Sequence, residues 1–423
     1  MSIGLLASAA VMAINVATGT LLARSLGPHD RGELAAVILW PSLLAGLGSL
    51  GVSEAGAYFA ARNDHPLGQL LGTTVVIVLL QAILLCSVGL AVVPTVLAGH
   101  DAATVATAVG YLAFIPLTLL SSSLLWLLNG VGQSVWFQCL RLGVYMIPAI
   151  AFAALAGQGA LSVRNAAAVY LVANAAVAAA AALRLLRDTQ GRPAWSGPLA
   201  RQILHYGVRG HTSTVSGIFN ERLDQMLISA FLAPTKLGLY VVAVTMTSAT
   251  AMIGSSISMV ALPAVSRASS VAAARHTVVQ FVRAAIVLSV AATLPLFVVM
   301  PVVVSLFFGD AYRGSVEVAR VLVVGAVFLS CARVLGSALK GLGEPLDAGL
   351  AEGGALVVTA AGLAIMMPAF GLMGAAVASL LSYVASAIWA FRRAAFRAGI
   401  TPSEFLVELV RPARPAQAVV HGD

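Results

Sequence analysis

The chain has 423 residues, of which 60% are hydrophobic and only 9% are charged. An ordinary soluble domain carries roughly 25% charged residues, and a folded monomer keeps too large an exposed surface to hide this much apolar material from water. The composition therefore excludes soluble enzymes, disordered chains, coiled coils and collagen-like fibres. It predicts an all-α, polytopic integral membrane protein.

The net charge of +8 does not indicate a nucleic-acid-binding protein. The basic residues are scattered between hydrophobic runs, and no stretch forms a basic domain that would follow a phosphate backbone. We therefore expect membrane lipids around the chain and no nucleic-acid partner.

Twelve apolar runs are long enough to cross a bilayer as helices, which takes about 20 residues each. The runs lie at residues 3–23, 34–60, 70–98, 104–128, 138–157, 165–184, 210–232, 238–264, 284–308, 315–339, 348–368 and 371–391. The first run lacks a basic flank and a cleavage site, so we expect a membrane span there and not a cleaved signal peptide. The sequence thus predicts about 12 transmembrane helices.

The arginine and lysine residues of the loops predict the orientation in the membrane. With twelve spans both termini lie on one side. That side carries sixteen of the loop cations and the other side carries six. Because loops rich in positive charge stay in the cytoplasm, both termini are predicted to be cytoplasmic.

The longest loop separates spans six and seven, so it divides the chain into two sets of six spans. We predict an N-terminal lobe at 1–186, a cytoplasmic linker with a short interfacial helix at 187–209, a C-terminal lobe at 210–391 and a cytoplasmic tail at 392–423.

Two features are expected in the tail. Thr401, Pro402 and Glu404 form a capping-box pattern, which predicts one short helix. The final residues, RPARPAQAVVHGD, are expected to be disordered because they contain too little apolar surface to fold.

The two sets of spans contain an internal repeat. LLARSLGPHDRG at 21–32 aligns with LISAFLAPTKLG at 227–238, and LLNGVGQ at 127–133 aligns with ALKGLGE at 338–344. The first match has an offset of 206 and the second an offset of 211. Because each copy has six spans, both copies start on the same side of the membrane. Parallel repeats of this kind place a substrate path between two lobes.

Span seven carries a polar stripe on an otherwise apolar helix. Ser213, Ser216, Asn220 and Asp224 recur every three to four residues, and Glu221 flanks them, so they share one helical face. Such a stripe indicates the wall of a polar cavity. A helix–helix interface held by small polar groups is the alternative interpretation.

Span one carries a weaker version of the same stripe. Asn15 and Thr18 share a face, and the offset of 206 aligns them with Glu221 and Asp224. Arg24 ends this span near the outer surface, where its side chain either enters a cavity or extends toward the outer headgroups.

Charged residues inside a membrane usually face a cavity or a partner, because burial in hydrocarbon is costly. This argument adds three charged residues in the predicted spans to the candidate list, namely Glu54, Arg222 and Arg333. The residues assigned to a substrate cavity are then Asn15, Thr18, Arg24, Glu54, Asn220, Arg222 and Arg333. The residues assigned to ion coupling are Glu221 and Asp224.

The sequence contains no signature of catalysis. It has no P-loop, no HExxH and no GxSxG motif, and its seven histidines show no spacing typical of metal ligands. We therefore expect a transporter without catalytic residues, cofactor or metal site.

Three segments resemble a known family. They are LLARSLGPHDRGELAAVILWPSLLAGLGSLGVSEAGAYFAAR at 21–62, YGVRG at 206–210 followed by NERLDQMLISAFLAPTKLGLYVVAV at 220–244, and LKGLGEP at 339–345. These segments are similar to the first, seventh and tenth helices, with the turns that follow them, of polysaccharide and oligosaccharide flippases. Those flippases belong to the multidrug/oligosaccharidyl-lipid/polysaccharide exporter superfamily.

The resemblance implies a two-lobed bundle that works by alternating access in the bacterial cytoplasmic membrane. Its implied substrate is a polyprenyl-pyrophosphate-linked oligosaccharide, and its implied partners are a glycan polymerase or glycosyltransferases of cell-surface polysaccharide or lipopolysaccharide biosynthesis. By motif match, Arg24 and the segment 220–224 are carried over as cavity residues, since arginine binds phosphate oxygens well. Many flippases of this family have fourteen spans, whereas this sequence has twelve.

Two other functions stay open at this point. One is a cation-coupled multidrug exporter, which requires an acidic cavity and no cavity arginine. The other is a non-transport membrane component of a glycan assembly complex. Coupling of transport to H+, to Na+ or to the membrane potential also stays open.

Overall fold

The computed structural model describes residues 2–189, 191–397 and 401–410. Within these residues the chain folds into α-helices joined by short turns, and no strand is present. The α-helices are α1 Ser2–Gly48, α2 Val52–Arg62, α3 Leu67–Val96, α4 Ala102–Gly110, α5 Phe114–Gly130, α6 Ser134–Gly157, α7 Val163–Asp188, α8 Gly197–Phe231, α9 Pro234–Ser266, α10 Val271–Phe307, α11 Val316–Gly341, α12 Pro345–Arg397 and α13 Pro402–Val410. Short 3-10 turns lie at Tyr111–Ala113 and Asp310–Ser315.

Two helices are broken by a glycine. In α1, which is 47 residues long, Gly27 has φ 75° and ψ 174°. In α12, which is 53 residues long, Gly371 has φ 55° and ψ −128°. Glycine adopts such angles without a steric penalty. At about 1.5 Å per residue, each helix is far longer than the roughly 30 Å hydrocarbon core, so each contains two spans.

The apolar surface of the helices confirms a polytopic membrane protein. Among the described residues, eight helices are long and apolar enough to cross a membrane, or nine if Pro234–Ser248 and Thr250–Ser266 are one broken span. On α3, Leu80 is 60% exposed, and Ile83 and Leu84 are each 66% exposed, as expected for a lipid-facing surface. Apart from 34–60, every predicted run coincides with one of these helices, with half of a broken helix, or with α8.

The predicted run 34–60 is interrupted, which the sequence did not indicate. α1 ends at Gly48, Leu50 and Gly51 adopt positive φ of 49° and 66°, and the chain turns into α2. A Cβ on Gly51 would lie 2.5 Å from the carbonyl oxygen of Gly207 in α8, and a Cβ on Gly207 would lie 2.4 Å from that of Leu50. This backbone contact accounts for the break.

The segment between α7, which ends at Asp188, and α8, which begins at Gly197, is short. α8 begins at Gly197 and continues without interruption to Phe231, so the expected interfacial helix is continuous with the helix that contains the predicted seventh run. In the preceding segment, Ala194 N donates to Gly68 O at 3.1 Å. A Cβ on Gly72 would lie 2.6 Å from Ala194 N. The linker therefore packs against the first turns of α3.

The turns of the internal repeat have the same conformation, which confirms the repeat. Gly132 has φ 82° and Gly343 has φ 84°. The N–H after Gly132 donates to Leu128 O at 2.9 Å, and the N–H after Gly343 donates to Leu339 O at the same distance. Both are helix C-terminal motifs that require a left-handed residue.

The contacts divide the chain into two compact units. The first comprises Met1–Met246, Val299–Arg320 and Thr359–Ala376. One of its buried apolar clusters contains Leu22, Leu34, Phe152 and Ala166. The second comprises Thr247–Val298, Val321–Val358 and Val377–Asp423. The predicted lobes at 1–186 and 210–391 stay a prediction.

The predicted tail helix is confirmed. Thr401 N donates to Glu404 Oε2 at 2.8 Å, and Glu404 N donates to Thr401 Oγ1 at 3.3 Å, which is a reciprocal capping box. Phe405 on α13 is fully buried in the apolar cluster of the second unit. The predicted disordered segment, 411–423, lies outside the described residues.

Candidate functional site

The polar stripe of α8 is buried at its C-terminal end. Asp224 is 5% exposed, and its Oδ2 accepts a hydrogen bond from the Tyr240 hydroxyl at 2.6 Å. α9 begins at Pro234 and brings the fully buried Tyr240 against α8. The side chains of Ser213 and Ser216, which belong to the predicted stripe, lie outside the described residues.

The neighbouring face of α8 becomes exposed one turn toward its N-terminus. Glu221, Gln225 and Ile228 share a face because they are spaced four and three residues apart. Gln225 is 5% exposed and Ile228 is fully buried, whereas Glu221 is exposed and Asn220 is half-buried. On this face, the C-terminal end of α8 is therefore buried as far as Gln225, and the helix is exposed from Glu221 toward the N-terminus.

The first half of α1 shows the matching pattern. Thr18 is 9% exposed and Leu22 is 1% exposed, whereas Asn15, one turn earlier, is exposed. The repeat aligns Asn15 with Glu221 and Thr18 with Asp224. Each repeat thus has an accessible polar group at one position and a buried polar group three residues later.

Arg24 contacts the end of another helix. Its Nε donates to Phe307 O at 2.9 Å, and its Nη2 donates to Leu306 O. These carbonyls belong to the last turn of α10, whose C-terminus attracts a cation. The geometry makes Arg24 a helix cap, and its predicted contact with a substrate headgroup stays a prediction.

The other predicted charges are placed separately. Arg333, half-buried on α11, donates to Ser255 Oγ at 2.8 Å and to Ala251 O at 3.3 Å, both on α9. Glu54 is exposed in the first turn of α2. Arg222 is exposed and donates to Gln225 Oε1 at 3.2 Å.

The structure also forms a cleft that the sequence did not predict. We call it the tyrosine cleft. It has a volume of about 800 Å³ and lies where α2 and the turn after it meet the first half of α8. Its lining residues are Tyr58, Phe59, Arg62, Asp64, His65, Gln202, His205, Tyr206 and Arg209. The sequence feature that could have indicated this cleft is the recurrence of aromatic, histidine and arginine residues in YFAARNDH and HYGVR.

The tyrosine cleft combines aromatic rings with positive charge. The rings of Tyr58 and Tyr206 stack with centroids 4.4 Å apart. Arg62 Nη1 donates to the Tyr58 hydroxyl at 2.9 Å, and Arg62 Nε donates to Asp64 Oδ2 at 2.6 Å. These contacts, first that with Tyr58 and then that with Asp64, raise the pKa of Arg62. Positive charge beside aromatic faces suits a ligand with an anionic group next to a ring.

A buried ion pair at the far end of α8 was also not predicted. The His100 side chain is 3% exposed. His100 Nδ1 lies 2.7 Å from Glu33 Oε2, and Nε2 lies 2.9 Å from Ser229 O. The carboxylate and the carbonyl are both acceptors, and together they favour the protonated form of the ring. The hydrogen bond with Glu33 accordingly raises the pKa of His100.

The sequence matches the polysaccharide biosynthesis protein family over residues 21–317, which is most of the chain. The protein belongs to this family. The match confirms the resemblance that the segments around Arg24 and Asn220 indicated. No curated protein matches the chain in sequence.

Solved structures of transporters share the fold. The lipid II flippase MurJ, in an inward closed conformation, is 12% identical with a TM-score of 0.79, covering 96% of this chain and 90% of MurJ. An inward-facing multidrug resistance MATE family transporter of the MOP superfamily is 16% identical with a TM-score of 0.75, covering 91% of this chain and 94% of that one. The MATE multidrug transporter DinF-BH is 15% identical with a TM-score of 0.63, covering 92% of this chain and 94% of that one.

The chain thus belongs to the polysaccharide biosynthesis protein family and has the fold of these transporters. The multi-pass membrane character predicted from composition is confirmed by the same comparisons and by the apolar helices.

Proposed function

We propose that the protein is a flippase that moves a polyprenyl-pyrophosphate-linked oligosaccharide from the inner to the outer leaflet of a bacterial cytoplasmic membrane. The product would serve cell-surface polysaccharide or lipopolysaccharide biosynthesis. Membership of the polysaccharide biosynthesis family over residues 21–317 carries this proposal. The fold shared with a lipid II flippase supports it.

The tyrosine cleft supports the choice of substrate class. Arg62 is the last residue of α2 and Arg209 lies in the first half of α8. The charge distribution assigns both to the cytoplasmic side, together with both termini. Their guanidinium groups would bind the pyrophosphate oxygens, and the exposed faces of Tyr58 and Tyr206 would stack on sugar rings. In this proposal the headgroup is first bound in the cleft.

The matched polar positions of the two repeats would form the path across the membrane. Asn15 and Glu221 are exposed, whereas Thr18 and Asp224 are buried, and in this proposal the first pair faces the open side of the path and the second pair the closed side. Alternating access between two lobes would reverse this pattern. Glu221, being accessible, is the better candidate for binding H+ or Na+. The membrane potential acting on the headgroup charge is the alternative driving force.

A cation-coupled multidrug exporter is the second candidate, because MATE transporters share the fold. It differs from a flippase in requiring Glu221 but not Arg62. A membrane component of a glycan assembly complex, in contact with a polymerase or glycosyltransferases, would require neither residue for transport.

The test is an analysis of lipid-linked saccharides in cells depleted of the protein. We expect a complete lipid-linked oligosaccharide to accumulate and the surface glycan to disappear. Rescue by Arg62→Gln and by Tyr206→Ala should fail at normal protein level, since each removes a contact of the tyrosine cleft. Arg187→Gln is the matched control, because Arg187 is exposed on the same predicted side but outside the cleft.

The outcomes separate the three functions. An unchanged lipid pool together with dye efflux that needs Glu221 would establish the exporter. Loss of the surface glycan without accumulation of a complete lipid-linked precursor would indicate an assembly component. Full rescue by both cleft variants would show that the cleft does not bind the headgroup.

A further inference from the structure

Three groups that bind metal ions well meet away from the tyrosine cleft and the polar stripes. They are His29 and Glu33, one turn apart in the second half of α1, and Asp101, the residue before α4. One ligand atom of each lies within 4.8 Å of the other two.

Glu33 contributes a buried oxygen that is not satisfied. Its side chain is 3% exposed, and its Oε2 is bonded to His100. Its Oε1 is buried and has no hydrogen-bond partner among the described residues. This atom faces His29, whose Nε2 lies 3.9 Å away, which is beyond hydrogen-bond distance. A buried carboxylate oxygen without a partner is costly unless a cation or donor occupies the space beside it.

His29 is oriented as a metal-binding histidine usually is. Its Nδ1 lies 3.1 Å from Asp30 Oδ1, so the N–H at Nδ1 donates to the carboxylate. The lone pair of Nε2 then points toward Glu33. A carboxylate that fixes the ring of a ligand histidine is the common arrangement around protein-bound metals.

Asp101 is available as the third ligand. It occupies the N-cap position of α4, but its side chain makes no capping hydrogen bond, although capping is the usual role of aspartate there. It is exposed, so an ion would have a path to solvent.

The charge of the cluster favours a dication. The carboxylates of Glu33 and Asp101 lie beside the imidazole of His29, and the carboxylate of Asp30 contacts the same ring. One imidazole with two carboxylates is a ligand set that suits Zn²⁺ and leaves a position for water.

We propose that His29, Glu33 and Asp101 bind a divalent transition-metal ion, with Asp30 as a positioning residue for His29. The ion joins the second half of α1 to the start of α4. Through Glu33, His100 and Ser229 it also reinforces the end of α8. No sequence pattern indicated this site, because its ligands come from two separate segments without a regular spacing. The proposal does not depend on the substrate that is transported.

The experiment measures zinc binding to the purified full chain in detergent, without an affinity tag. Equilibrium dialysis against Zn²⁺ should give one bound ion per chain and a higher thermal midpoint, with Mg²⁺ giving neither. His29→Gln and Asp101→Asn should each abolish binding at the same zinc concentration. Both side chains are exposed, so these variants should fold. Asp30→Asn should weaken binding by about 10–100-fold.

His276→Gln is the matched control. His276 is exposed and bonded to Gln280 on α10, so this variant should bind zinc as the wild type does. Absence of bound zinc in the wild type would overturn the proposal. Equal binding by the wild type, His29→Gln and Asp101→Asn would overturn it too, and the cluster would then be an ion-pair network only.

Discussion

The main chains of Gly32 and Gly238 are in contact. Gly32 lies against Pro234, four residues before Gly238, and Gly238 lies against Pro28, four residues before Gly32. A Cβ on Gly32 would lie 1.8 Å from Pro234 O, and a Cβ on Gly238 would lie 2.0 Å from Pro28 O. These four residues are identical positions of the repeat alignment, so the contact is reciprocal. Because each glycine leaves room for the main chain of the other copy, both glycines are needed for the same contact.

Alanine at either position should therefore be poorly tolerated. The added methyl group meets a carbonyl of the main chain, which cannot rotate away as a side chain would. We expect Gly32→Ala and Gly238→Ala each to lower the free energy of unfolding by roughly 3 kcal/mol, at the upper end of overpacking costs. Thermal unfolding in detergent measures this. Gly353→Ala, where no atom lies within 4 Å, is the control and should be neutral or stabilising.

Tyr240→Phe should destabilise the protein, because it removes a hydrogen bond to the buried carboxylate of Asp224. We expect a loss of about 1–3 kcal/mol in the free energy of unfolding. Tyr206→Phe removes a hydroxyl from a tyrosine that is 42% exposed and should change stability little. Equal effects of the two variants on the thermal midpoint would argue against the Asp224 contact.

Arg24→Gln separates the two roles considered for this arginine. As a cap of α10, Arg24 contributes about 1–2 kcal/mol to stability. The variant should therefore lower the thermal midpoint while transport per folded molecule stays unchanged. A normal midpoint with lost transport would instead establish a headgroup contact. The measurement is transport in vesicles, normalised to the amount of folded protein.

The capping box of α13 predicts a dependence on pH. The N–H and hydroxyl of Thr401 hold the pKa of Glu404 below its usual 4.5. A carboxyl whose pKa is lowered on folding stabilises the folded state above its unfolded pKa, and this stabilisation is lost as pH falls through the folded pKa. The wild type should thus exceed Glu404→Gln in thermal midpoint at pH 7. The difference should shrink below about pH 4.5, and a constant difference would contradict the assignment.

The sequence predicted those features that depend on local patterns. Apolar length located the helices, and the spacing of Thr401 and Glu404 located α13. The repeat that aligns Gly132 with Gly343 is matched by equal turns, because each glycine adopts the left-handed conformation that ends a helix. The spacing of polar residues also predicted the stripe of α8. It did not predict that Asp224 is buried and Glu221 exposed, because that difference depends on which helices pack beside α8.

The features that the sequence did not predict depend on contacts between distant segments. The break before α2 exists because Gly51 meets Gly207, and neither glycine indicates this alone. The tyrosine cleft needs Tyr58 and Tyr206 to stack across two helices. Arg24 was assigned to a cavity because the sequence does not show that the C-terminal carbonyls of α10 lie beside it.

The attachment of Ala194 to Gly68 has a mechanical consequence. Ala194 and Ser196 of this connector are both hydrogen-bonded to α3, so this part of the connector moves with α3 and is not a flexible tether. It therefore cannot lengthen or rotate freely during transport. If the helices after the connector move relative to α3, α8 itself must bend or shift. The helix that carries Asn220, Glu221 and Asp224 would then take part directly in the movement.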